Sequence, residues 1–158
     1  MLASGGGLYV YYGGVATGIV ENGGYADIED DEAVSFVSHS FSGLVLTDAS
    51  ATVHSGTTAN SATVSECGIL SVYSGGIVKS TTVNEYGVLR VSSGGTADCT
   101  EVNGGEFEVS EGGMANGANV NCGGSMYVSA GGTATGILEN GGYVEVDGGA
   151  TVTFLSNN

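Results

Sequence analysis

Proline and tryptophan are absent from this chain of 158 residues, and Lys79 and Arg90 are its only Lys or Arg. Against those two cations stand 17 acidic residues, giving a formal net charge of −15. Such a surface repels polyanions, which removes nucleic acid and anionic membrane from the partners to consider. Glycine is plentiful at 30 residues, yet without a third-residue period and without proline it does not make collagen. No apolar run is long enough to span a membrane. The opening Met1-Leu2-Ala3-Ser4 has neither a basic stretch nor an apolar core, so no signal peptide is read there. The expectation is either a cytoplasmic protein or a piece of an exported one. Cys67, Cys99 and Cys122 form no short-spaced pair and suggest neither a disulfide framework nor a zinc site. They read as small residues in glycine-like slots.

What is present is a period. Val53, Val72, Val91, Val109, Val128 and Val146 recur at steps of 18 or 19 residues. A fixed period of this size means one small unit stacked many times. Two residues before these anchors stand the apolar Leu70, Leu89, Phe107, Met126 and Val144, and between them lie the mostly polar Ser71, Arg90, Glu108, Tyr127 and Glu145. Alternation with period 2 is the mark of a strand with one face in and one face out. A helix needs apolar residues three or four apart, and the glycine pairs would destabilise it by about 1 kcal/mol per residue. Each unit is read as two such stretches with Gly-Gly at the corners, where glycine takes positive φ at little cost. One coil cannot bury its own apolar face, so coils must stack about 4.8 Å apart, and about eight of them make a rod roughly 40 Å long. The expected fold is an all-β, right-handed β-solenoid, a parallel β-helix forming a single domain over residues 1–158.

The register breaks once. After Leu8-Tyr9-Val10 and Ile28 the next anchor, Val53, comes six or seven residues late, so an irregular coil or insertion is expected at about 29–52. It begins in the acidic run Asp27, Glu29, Asp30, Asp31 and Glu32. Clustered carboxylates suit Ca²⁺, but a solvated acidic corner is the favoured reading, and no metal or cofactor is expected. His39 and His54 have no partner at ligand or triad spacing and read as loop residues.

Catalysis finds little to work with. Glu106 and Glu108 are paired acids of the kind that cleave glycosidic bonds, yet they are better read as solvent-facing neighbours of Arg90. With two cations in the whole chain, a polysaccharide-active β-helix is a remote alternative to a non-enzymatic protein. Outward Tyr9, Tyr25, Tyr127 and Tyr143 offer rings for sugars or a protein partner.

The string Val91-Ser92-Ser93-Gly94-Gly95-Thr96-Ala97, with Val102-Asn103-Gly104-Gly105 after it, resembles the passenger repeat of AIDA-type autotransporter adhesins. Val128-Ser129-Ala130-Gly131-Gly132-Thr133-Ala134-Thr135-Gly136, followed by Asn140-Gly141-Gly142-Tyr143, is similar to the same consensus. The resemblance implies a passenger fragment displayed on the bacterial surface or secreted, a rod that meets host or sibling cells by adhesion or self-association. It also implies O-linked heptose, placed by a glycosyltransferase, with candidates at Ser92, Ser93, Thr96, Thr133 and Thr135. The competing expectation is a structural solenoid that assembles end to end through open strand edges.

Overall fold

The computed structural model of the chain describes residues 1–29 and 33–156. Among these residues there is no helix, and parallel strands stack into a β-solenoid of about eight turns. The period sets the ladder. Val72 pairs with Val53 on one side and Val91 on the other, and the column continues through Val109 and Val128 to Val146. Beside it run Ala51, Leu70, Leu89, Phe107, Met126 and Val144 in the same register. Up to Met126 and Val128 these side chains are buried. Each contributes about 1.5–3 kcal/mol by leaving water.

A coil has three strands, which settles the choice between two and three that the two apolar stretches of each unit leave open. Ile69–Val72, Ile77–Lys79 and Thr82–Asn84 make one turn, so the rod is three-faced. The second face leaves a weak trace in the sequence because its middle strands, Ile77–Lys79, Thr96–Asp98 and Met114–Asn116, are three residues long and each buries a single residue. Its inward column is Ala59, Val78, Ala97, Ala115 and Ala134. The third face buries Leu46, Val64, Val83, Val102 and Val120 in the same way.

The two glycines of a corner are glycines for different reasons. Gly75 has φ +72, the left-handed region; Gly76 does not, but a Cβ on it would lie 2.3 Å from the carbonyl oxygen of Val53 one coil away. Only the second slot therefore excludes every side chain. Left-handed slots elsewhere hold Cys67 and Tyr86, with φ 64 and φ 60, each just before a glycine of the second kind. Cys99, φ 56, takes another such slot. The alternation between 18 and 19 residues also has a local cause. Asn103-Gly104-Gly105 turns a corner with one residue fewer than Asn84-Glu85-Tyr86-Gly87, and an isolated bridge between Asn84 and Gly104 marks the place.

The N-terminal coils form a second, smaller stack. Gly7–Val10 pairs with Tyr25–Ile28, Val15–Ile19 with Ala33–Phe36, and Leu2–Ala3 with Glu21–Asn22, all outside the long sheets. The extra residues before Val53 supply one more strand. Ala33–Phe36 closes the N-terminal stack, and His39–Ser42, two residues on, opens the long sheet by pairing with Thr57–Asn60. Of the acidic run, Asp30, Asp31 and Glu32 lie outside the described residues.

Candidate functional site

Where the two stacks meet, the chain buries a carboxylate. Glu21 begins a short corner, Glu21-Asn22-Gly23-Gly24, built like Val102-Asn103-Gly104-Gly105, so it takes the inward slot that valine fills in the rod. Its side chain is 0 % exposed. An ionised carboxylate survives there only if its oxygens are satisfied. Glu21 Oε1 accepts from Thr52 Oγ1 at 3.1 Å and lies 2.7 Å from His54 Nδ1, while Oε2 accepts from the His54 backbone N–H at 2.7 Å. The Thr52 hydroxyl also accepts from the Ala26 N–H at 2.9 Å. Thr52 shares its column with half-buried Ser71 and exposed Arg90, yet it is buried against Glu21 and Ala26. The outer side of one stack thus meets the inner columns of the other.

His39, read as a loop residue, lies on the strand His39–Ser42. His54 does stand at a corner just after Ser50–Val53, a loop position as expected from spacing, but its ring has partners there. Its ring is 12 % exposed and lies between two others, with Phe36 at 4.4 Å and 3° on one side and Tyr73 at 4.8 Å and 10° on the other. Tyr73 follows Val72 as His54 follows Val53, so this stack is set by the coil spacing. Among the described residues no Ser, Thr or Cys side chain hydrogen-bonds to the ring. With its flat faces covered and its Nδ1 edge on Glu21, His54 acts as a clasp.

Beside the clasp runs an open groove of about 670 Å³ in the angle between the stacks. Tyr9, Tyr25 and Tyr73 line it with Asp48, Ser71 and Arg90. Tyr9 and Tyr25 tilt against each other at 6.2 Å. Burial, then the charge of Asp27, raises the Tyr25 hydroxyl above its ordinary 10.0, which keeps it a hydrogen-bond donor. Arg90 Nε donates to Glu108 Oε2 at 2.6 Å, an exposed pair worth about 0–1 kcal/mol. The expected neighbourhood of Arg90 and Glu108 is thus observed.

Of the sequence candidates, Tyr9 and Tyr25 are brought together, and so are Tyr127 and Tyr143, 6.2 Å apart at the other end of the chain. Ser92 and Ser93 sit on the corner after Val91, Ser92 at the rim of the groove and Ser93 exposed. Thr96, Thr133 and Thr135 stand half-buried on the outward side of the second face, where Thr135 Oγ1 donates to Asn116 Oδ1 at 3.0 Å. Glu21, Thr52, Phe36 and Tyr73 were not singled out by sequence reasoning.

No protein-family model and no curated protein sequence matches the chain. Among solved structures it is similar to a TibA fragment hyper-glycosylated by TibC catalysis, with 31% identity and a TM-score of 0.63. The alignment covers 95% of this chain and 58% of that one, so the chain spans less than two thirds of the TibA fragment.

Proposed function

We propose that this chain is part of the passenger of an exported bacterial adhesin, a non-enzymatic rod that carries sugars and meets other cells. The likeness to the glycosylated TibA fragment along 95% of the chain carries the reading. Its physical content is display. A solenoid fixes the spacing of everything on its surface, so Ser92 and Ser93 on one corner and Thr96, Thr133 and Thr135 on one face become ordered rows of hydroxyls. In this reading those five residues are the acceptors of a TibC-like glycosyltransferase. Tyr9 with Tyr25, and Tyr127 with Tyr143, present amphipathic rings to a partner on a host or sibling cell. The groove between the stacks makes the first pair the better contact.

The test is co-expression with TibC, followed by intact-mass measurement and adhesion of beads carrying the product to cultured cells. The expected result is a series of whole-sugar mass increments, shortened when the five hydroxyl residues are replaced by alanine, and bead retention that falls with Tyr25→Ala. An unmodified mass together with no retention would defeat the proposal.

A further inference from the structure

The stack of rings at the clasp ends inside the groove. Phe36, His54 and Tyr73 lie flat on one another, and the coil spacing sets the next position of that column: Ser92 follows Val91 as Tyr73 follows Val72. A serine is too short to cover a ring. The far face of Tyr73 is therefore left bare above Ser92, and the residue is 38% exposed. Both residues line the groove, whose volume of about 670 Å³ is in the range of sites that take small molecules.

The two walls offer complementary chemistry. From the rod come Tyr73, the Ser50 and Ser71 hydroxyls and Arg90; from the N-terminal stack come Tyr9, 57% exposed, and Tyr25. Arg90 spends Nε on Glu108 and keeps its terminal nitrogens as donors. Asp48 adds an acceptor, and each serine hydroxyl both donates and accepts. Flat ring faces bordered by short, mixed hydrogen-bonding groups match a pyranose, which shows C–H bonds on its faces and hydroxyls around its rim. Among the described lining residues Ile69 is the one large aliphatic side chain, so an apolar peptide anchor finds little to fill. Charge decides which kind of sugar fits. Asp48 stands in the groove, Glu108 already holds Arg90, and the chain carries a net −15. An anionic sugar would enter against that field and have to draw Arg90 away from Glu108.

We infer that the groove is a binding site for a short neutral oligosaccharide, with one sugar ring laid on the open face of Tyr73, next in line after Phe36 and His54. The serines and Arg90 of the rod and the tyrosines of the N-terminal stack take its hydroxyls. Because the walls belong to different stacks, the Glu21–His54 clasp sets the width of the site, and both are positioning residues for it. The inference deepens the cell-contact role proposed for Tyr9 and Tyr25 and rests on that reading for the source of the sugar, a glycan on another cell.

The experiment titrates the unmodified full chain with lactose, cellobiose and maltose, and with sialyllactose as the anionic counterpart, following amide chemical shifts. The expected result is millimolar binding of at least one neutral disaccharide, with shifts at Ser71, Tyr73 and Arg90 and none at Val102, and sialyllactose binding no tighter than lactose. Ser92→Phe extends the ring stack over Tyr73 and should weaken binding by about tenfold or more in an otherwise retained spectrum, while Tyr73→Phe stays within about threefold of the parent. Silence of all three neutral sugars would overturn the inference, and so would undiminished binding by Ser92→Phe. Tighter binding of sialyllactose would overturn the neutral class, and shifts confined to Tyr127 and Tyr143 would overturn the groove. Bead retention that depends on Tyr25, with no sugar shift, would leave the cell-contact reading standing and overturn the inference; sugar shifts in the groove without bead retention would support the inference and defeat that reading.

Discussion

From Leu70 to Val128 each inward side chain of the first face meets an apolar residue on the coils above and below, whereas around Glu21 each buried group has one specific partner. The two regions solve different problems. A valine column gains from every added coil and is indifferent to which coil comes next, so it gives stability without identity. The clasp is satisfied in a single arrangement: shifting the N-terminal stack by one coil would leave the Glu21 carboxylate, the Thr52 hydroxyl and the His54 N–H buried and unpaired, each at about 1–3 kcal/mol. Apolar ladders make the rod; a polar contact fixes how two stacks join.

The sharpest way to probe that contrast is to damage each side. Phe107→Ala empties the largest fully buried side chain of the rod and is expected to destabilise it by about 3–5 kcal/mol. In urea titration the loss should appear as earlier unfolding of the coils from Ile69 to Val128. Glu21→Ala removes the shared acceptor and is expected to cost about 2–3 kcal/mol, confined to the junction. Amide exchange should then accelerate in Tyr25–Ile28 and stay slow in Val88–Val91. Equal loss of protection in both strands after Glu21→Ala would mean the stacks unfold as one and that the contrast is false.

Within the rod, the two kinds of glycine can be separated. Gly87→Ala places a Cβ 2.3 Å from the Val64 carbonyl oxygen, so coils must move apart, at about 1–3 kcal/mol. Gly117 has φ +70 and open space, so Gly117→Ala carries only left-handed strain, about 1–2 kcal/mol. Thermal denaturation should rank Gly87→Ala as the more harmful. The reverse order would show that φ, not coil approach, governs the corners.

These regions were also unequally legible. The Val53-to-Val146 period states the ladder outright, because a residue's neighbour in space is its counterpart one coil along the sequence. Three faces were harder to see, since a strand such as Thr96–Asp98 shows one inward alanine and no alternation. The clasp was invisible for a different reason. Glu21 meets Thr52 and His54 across the extra strand His39–Ser42, at separations that match neither the coil period nor any metal or triad spacing. A signal was nonetheless present: an acidic residue in a slot where Val102 and Val120 stand, repeated at Glu139.

The smallest effect expected contrasts two carboxylates. Glu21 is buried and fully bonded, while Glu106 stands on the outside of the rod next to another acid. Partial burial first, then a hydrogen bond with Glu108 and its charge, raise the Glu106 carboxyl above its ordinary 4.5, with Arg90 pulling the other way. A raised acid holds its proton more firmly folded than unfolded. In the window between 4.5 and the raised folded value the folded chain binds more protons, so stability from this group increases as pH falls and is lost as pH rises through that value. At neutral pH the ionised Glu106 is therefore a slight liability, and Glu106→Gln should stabilise the rod by about 0.2–0.5 kcal/mol, the scale of a like-charge surface pair. The gain should vanish on acidification, read as the difference in urea midpoint between variant and parent across the pH range. A variant that is less stable than the parent at neutral pH would show that Glu106 is held by its neighbours as Glu21 is, and that the outer ladder is not a passive surface.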